Sequence, residues 1–190
     1  MSAGAVTGIL LAAGQARRFG ANKLLAPLPD GTPVALAALA RLRMAVERVV
    51  IVTPAEGATA DRFEDEGLAP VRCADAAAGM AHSLRCGIAA STDSSAWLVM
   101  LADMPYVRTA TLQQIVQALQ AGAAIVVPRH AGRDGHPVAF TARFRAELQA
   151  LTGDRGARAI LDAHPESVQY LDVDDPGIHQ DIDTPGDLQP

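Results

Sequence analysis

The stretch "LLAAGQARRFGANKLLAP", Leu10–Pro27, starts as an apolar strand and ends as an apolar segment. Between them lies a loop that holds Gly14 and Gly20 and gathers Arg17, Arg18 and Lys23 within seven residues. The whole chain has 16 Lys+Arg against 21 Asp+Glu, a formal net charge of −5, so this local excess of cations needs a reason. Glycine lets backbone N–H groups approach an anion closely, and basic side chains complete the neutralisation. The loop is not a Walker loop, because no Gly-Lys-Ser/Thr follows, and its glycines are six apart, so it is not Gly-x-Gly-x-x-Gly. From these residues alone two readings stay open: an anion-binding loop, or a solvated turn in which Arg17 or Arg18 forms a surface ion pair.

Working outward, strand-like and helix-like stretches alternate. Val6–Ala13, "RVVIVT" (Arg48–Thr53) and "AWLVMLA" (Ala96–Ala102) are continuous apolar or β-branched runs that predict buried strands. Shorter strands are expected near Val71, over Ala124–Val127, after the turn in "GRDGHPVAF", and over Val168–Val173. Helices are expected from the Thr32-Pro33 pair to about Met44, near Thr59–Glu66, over Met80–Ala90, from Thr109 to about Gln120, and over Arg155–Ala163 behind Asp154. Thr184-Pro185-Gly186-Asp187 has the pattern of a helix cap. Buried strands between helices predict one α/β domain over 1–190: a mostly parallel, mixed, doubly wound sheet with helices on both faces. Such sheets bind ligands at the carboxyl ends of their strands. The glycine loop follows the first strand, and Asp103 follows "WLVMLA".

Composition narrows the function. Net negative charge and 4% aromatics weigh against nucleic-acid binding. The short N-terminal apolar run is broken by Gly8 and Gly14 and lacks a basic flank, so neither a signal peptide nor a membrane span is expected. Cys73 and Cys86 match no zinc spacing and are too few for a disulfide framework; reduced thiols in a cytoplasmic protein are the expectation.

Several polar clusters carry possible chemistry. "LADMP" puts Asp103 just past a strand end, as a ligand-facing carboxylate or a turn residue before Pro105. "DIDTP" offers Asp181 and Asp183, two apart and so on one side of an extended segment. Their alternative role is capping, although Thr184 already suits that position. "GMAHSLRCG" sets Gly79, His82 and Ser83 at a helix start, an anion site or a plain cap. "GHPVAF" holds His136, and "GDRGAR" holds Asp154, Arg155 and Arg158. His130, His164 and His179 read as surface residues.

Six stretches in order, "LAAGQARRFGANKLL", "GMAHSLRCG", "LADMPYV", "GHPVAF", "LTGDRGARAIL" and "DIDTPGDL", resemble the molybdenum cofactor nucleotidyltransferases. The cytidylyltransferase branch is similar along nearly the whole length. The resemblance implies a Rossmann-like, glycosyltransferase-A-like fold. It also implies Mg²⁺-dependent transfer of CMP from CTP to the terminal phosphate of molybdopterin, with release of pyrophosphate. Leu11, Ala12, Ala13, Gly14, Arg18, Gly20, Lys23, Gly79 and Ser83 would then contact the nucleotide, with Lys23 and Arg18 on its phosphates. Asp103 would bind the metal together with Asp183 or Asp181, Asp183 being favoured. Lys23, Arg18 and Asp103 would be catalytic. His136 and Arg158 would meet the second substrate, and Arg17 falls at a variable position.

The chain departs from the family where Ala16 replaces a common Ser, and where Ala76-Ala77-Ala78 stands in place of a frequent Trp and Glu. The guanylyltransferase branch has Gly where this chain has Ala13, whose methyl would crowd a purine, so CTP is expected over GTP. A guanylyltransferase, a sugar- or polyol-phosphate nucleotidyltransferase, and a non-catalytic cofactor carrier are the alternatives. A molybdoenzyme would be the downstream recipient.

Overall fold

The computed structural model describes residues 5–14, 19, 22–153 and 156–189. The strands are β1 (Val6–Leu11), β2 (Arg48–Pro54), β3 (Val71–Cys73), β4 (Ala96–Leu101), β5 (Ile125–His130), β6 (Arg133–Asp134), β7 (Val138–Thr141) and β8 (Val168–Asp172). They form one sheet in the order β3-β2-β1-β4-β7-β5-β6, with β8 also pairing β5. The pairs β1/β2, β1/β4, β2/β3 and β5/β8 are parallel. β7 lies antiparallel to both β4 and β5, which makes the sheet mixed. The helices are α1 (Val34–Arg43), α2 (Ala58–Asp65), α3 (Met80–Ala89), α4 (Thr109–Gln120), α5 (Arg145–Ala150) and α6 (Arg158–Ala163).

The apolar runs explain this two-sided covering. Successive strand residues point to opposite faces. On β4, Leu98 and Met100 join the apolar cluster under α1 and α4, whereas Trp97 and Val99 join the cluster under α3, α5 and α6. All four are buried, and full burial of a side chain this size contributes about 1.5–3 kcal/mol. β1 alternates in the same way: Leu10 and Ala12 face the first cluster, and Ile9, Leu11 and Ala13 the second. α3 approaches β1 so closely that a Cβ on Gly87 would lie 2.7 Å from Ile9. Only glycine fits there, and the contact fixes where the amino end of α3 meets the end of β1.

Strand order reverses at β1/β4. β2 continues to one side of β1 and β4 lies on the other, with Leu11 beside Leu101 in register. The two strands therefore end together, at the kind of switch point where α/β sheets open a crevice.

Several local expectations shift. α1 starts one residue later than its Thr-Pro signal indicated: Pro33 is the cap, and Thr32 instead accepts a backbone hydrogen bond from Leu28 at 2.9 Å. Asp154 and Arg155 lie outside the described residues, and α6 is described from Arg158.

The thiol expectation is corrected. Cys73 and Cys86 are joined as a disulfide, with Cα atoms 6.0 Å apart. One sits at the end of β3 and the other on α3, which packs against it. A cysteine count of two says nothing about such a long-range meeting.

Candidate active site

Two adjoining chambers open at the carboxyl ends of β1 and β4. The first, about 360 Å³, is lined by Leu11, Ala13, Gly14, Lys23, Asp103 and the amino end of α3, including Gly79, Met80 and Ser83. The second, about 230 Å³, shares Leu11, Met80 and Leu101 with the first and holds His136 and Arg158. Six of the residues expected at the nucleotide thus converge on one chamber, and both residues expected at the second substrate lie in the next. Ala12 lines neither: it is 1% exposed, its side chain packs on the opposite face, and its N–H donates to the Val52 carbonyl. Arg17, Arg18 and Gly20 lie outside the described residues, as does Ala16.

Lys23 is the centre of the first chamber. It opens a single turn, Lys23–Leu25, capped by Asn22, whose side-chain oxygen accepts from the Leu24 N–H at 3.2 Å. The Asn22 amide in turn donates to Thr59 on α2 at 2.7 Å. Lys23 Nζ lies 2.8 Å from Asp103 Oδ2 and 2.8 Å from Asp183 Oδ1, with the lysine side chain only 11% exposed. Burial pulls the ammonium pKa down, but the two carboxylates outweigh it and hold the value above its ordinary 10.5. Lys23 is therefore a fixed cation at neutral pH.

The carboxylates come from distant parts of the chain. Asp103 follows β4 in the turn where Met104 N–H donates to Leu101 O. Its backbone carbonyl accepts from Ile182 N–H at 2.9 Å, which draws the "DIDTP" segment alongside. Ile182 is fully buried and anchors that segment. Asp187 does the capping: its carboxylate accepts from the backbone of Asp183 and Thr184, leaving the Asp183 carboxylate to face Lys23. Asp181 is exposed and not on the ammonium; its charge acts on His136.

Among the described residues, Asp103 Oδ1 is buried and has no hydrogen-bond partner. An anionic oxygen left without a donor in a buried place is the position a cation suits. Mg²⁺ prefers one or two carboxylates supplemented by phosphate oxygens and water, and Asp103 with Asp183 supplies that donor set. These two residues fit a hard divalent ion.

The second chamber is different. Val99, Val127, Val138 and Phe140 give it apolar walls, with His136 and Arg158 among its polar groups. His136 hangs from backbone that donates to Ile178 O at 3.0 Å, after Gly135, where a Cβ would strike Ile178 at 2.6 Å. Burial pushes the imidazole pKa below its ordinary 6.5, with Asp103 and Asp181 pulling the other way. His136 is therefore neutral at pH 7. Arg158, exposed and paired with Asp162 at 3.1 Å, supplies a cation at the wall.

Sequence reasoning missed Asp175, which is 1% exposed. It accepts from Arg108 N–H at 2.9 Å, Thr111 Oγ1 at 2.6 Å and Gly177 N–H at 3.0 Å. This ties the segment after β8 to α4 and so sets the approach of Ile182 and Asp183. In "DVDDPG" it reads as one more exposed turn carboxylate; only the following Pro-Gly hints at a fixed turn.

Known proteins place this architecture. Residues 8–168 match the model of the MobA-like NTP transferase domain. The chain is 33% identical to nicotine blue oxidoreductase of Paenarthrobacter nicotinovorans over 94% of its length and 92% of that protein. It is 30% identical to purine catabolism protein PucB of Bacillus subtilis (strain 168), over 94% and 91%. Rv0371c of Mycobacterium tuberculosis H37Rv superposes with a TM-score of 0.82 at 32% identity, covering 98% of this chain and 96% of that one. The same protein has been solved as a complex with manganese, and that structure superposes at 0.77 with 30% identity over 96% and 95%. Among the described residues no helix is long and apolar enough to cross a membrane. With the glycine loop following β1 and a lysine–dicarboxylate cluster where β1 and β4 end, the chain belongs to the MobA-like NTP transferase family and is a nucleotidyltransferase.

Proposed function

We propose that the enzyme transfers CMP from CTP to the terminal phosphate of molybdopterin and releases pyrophosphate. The observation that carries this reading is the Lys23 ammonium held 2.8 Å from both Asp103 and Asp183 on the wall of a chamber large enough for a nucleotide. That cluster offers a cation for phosphate and carboxylates for a metal. The backbone of Ala13 and Gly14 and the amino end of α3 at Gly79 and Ser83 would complete the nucleotide's surroundings; Arg18 and Gly20, outside the described residues, are assigned to it by the family resemblance alone.

The acceptor's phosphate monoester is already ionised near neutral pH, so its oxygen attacks the α-phosphorus without a general base. The bond from the α-phosphorus to the bridging oxygen breaks, and that oxygen leaves with pyrophosphate. Positioning and charge neutralisation supply the rate. Lys23 and Arg18 would offset charge on the phosphates. Asp103 and Asp183 would hold Mg²⁺, which when bound supplies electrostatic stabilisation of the reacting phosphate. The neutral His136 and Arg158 would orient the acceptor, the arginine by gripping a phosphate.

The methyl of Ala13 on the chamber wall supports a pyrimidine. One relative is named as an oxidoreductase, but the ionic cluster here supports phosphate chemistry. It also weighs against a pure carrier, which needs neither a triphosphate site nor metal ligands.

Turnover of CTP, GTP and ATP with molybdopterin, sugar phosphates and polyol phosphates tests the reading. Pyrophosphate release that requires CTP and molybdopterin is the expected result. Release with a sugar phosphate instead would move the acceptor, and no release with any pair would favour the carrier.

A further inference from the structure

The ionic cluster holds a feature that the reaction alone does not require. One ammonium occupies both carboxylates at once, each at 2.8 Å, and it is almost wholly shielded from water. A divalent ion seeking the same two carboxylates meets oxygens already neutralised by a buried positive charge. Two cations a few ångströms apart in a partly buried site repel each other strongly. The site cannot hold the lysine in this position and the metal together without that cost.

Lys23 has somewhere else to go. It sits on the wall of the chamber that also holds Gly14, Gly79 and Ser83, and its four-carbon stem lets the ammonium swing. A triphosphate entering the chamber offers it a denser anion than two carboxylates.

We infer that Lys23 is an interlock: without nucleotide it fills the cation position between Asp103 and Asp183, and an arriving triphosphate draws it off and so removes the like charge that opposes a metal there. This rests on the proposed role of Asp103 and Asp183 as metal ligands. Its consequence is that nucleotide and metal bind with positive coupling beyond the metal carried on the nucleotide itself. Linkage makes the coupling reciprocal.

The test reads metal binding rather than turnover. Mn²⁺ is titrated into the full chain without nucleotide, with free Mn²⁺ followed by electron paramagnetic resonance. Lys23→Met should bind Mn²⁺ at least about tenfold more tightly than the parent, since a like charge has been removed. Adding Asp103→Asn to that variant should abolish the gain. Arg158→Met, which removes an equal charge from the neighbouring chamber, should change the affinity by less than about twofold, because that group is exposed and screened.

Equal affinity in Lys23→Met and the parent overturns the interlock, as does an equal gain in Arg158→Met. Tight Mn²⁺ binding by the nucleotide-free parent overturns it while leaving the metal ligands intact. No Mn²⁺ binding by any variant overturns both the interlock and the metal assignment.

A second measurement needs no variant. The Lys23 ammonium resonance in the parent should shift when a non-reactive CTP analogue is added in a metal chelator, and stay put with Mg²⁺ alone. The reverse pattern contradicts the proposal.

Discussion

The two chambers share a wall at Leu11, Met80 and Leu101, yet they are built on opposite principles. The first concentrates charge: an ammonium with two carboxylates drawn from residues 80 and 160 positions away from it. The second sets a neutral His136, one exposed arginine and Asp134, whose charge is met by Arg129, among apolar walls. Their scaffolds differ too. The first lies at the ends of parallel β1 and β4, while the second borrows Val138 and Phe140 from β7, which runs antiparallel beside β4. On the proposed reading, the gathered charge would neutralise phosphates and the apolar surface would receive the acceptor. If this division is real, perturbing one chamber should leave the other's readout nearly untouched.

The largest effect is expected at the ionic cluster. Asp103→Asn should cost on the order of 10²–10³ in kcat, the loss typical of removing one strong electrostatic stabiliser. Acceptor KM should stay within about twofold. Steady-state kinetics with each substrate varied in turn checks this, and a rise confined to acceptor KM would break the division.

Next comes the support of that cluster. Asp175→Ala strands the Arg108 and Gly177 N–H groups and the Thr111 hydroxyl, and should destabilise the fold by about 3 kcal/mol in urea melts. Cys86→Ser opens the link across a sequence separation of 13 and should cost about 2–3 kcal/mol. An equal loss on adding reductant to the parent, with none in the variant, would assign the effect to the bond.

Arg158→Ala acts on the second chamber. It should raise acceptor KM roughly tenfold, the worth of one charge-assisted hydrogen bond, while CTP affinity holds within about twofold.

The smallest effect concerns pH. The folded-state pKa of His136 lies below its unfolded value of 6.5, so below that pH the unfolded chain takes a proton that the folded chain refuses. This contribution is complete above pH 6.5 and is lost as pH falls from there toward the folded pKa. His136→Gln should flatten the difference in stability between pH 7.5 and 5.5, read from urea melts at the two pH values.

Much of this was legible in the residues. "AWLVMLA" predicts a strand buried on both faces, and its end puts Asp103 at the ligand edge. "DTPGD" predicts a cap, and Asp187 proves to be the capping carboxylate, which frees Asp183 for Lys23. Periodicity and capping are local, and local patterns survive in sequence. Pairings across the chain do not. Nothing in "GHPVAF" tells that β7 inserts between β4 and β5, or that Cys73 meets Cys86. Asp175 is camouflaged among Asp172, Asp174 and other exposed acids, because its burial depends on α4. The sequence suggests Lys23 as a cation for phosphate but gives no sign of its pairing with two carboxylates, since that ion pairing follows from three-dimensional proximity alone.

The central claim is that the Lys23–Asp103–Asp183 chamber receives a nucleoside triphosphate together with a divalent metal. Calorimetric titration of CTP, GTP and ATP, with and without Mg²⁺, into the parent and Asp103→Ala tests it most directly. The account predicts Mg²⁺-dependent binding that favours CTP and is lost in the variant. Binding that is indifferent to both Mg²⁺ and Asp103 would contradict it.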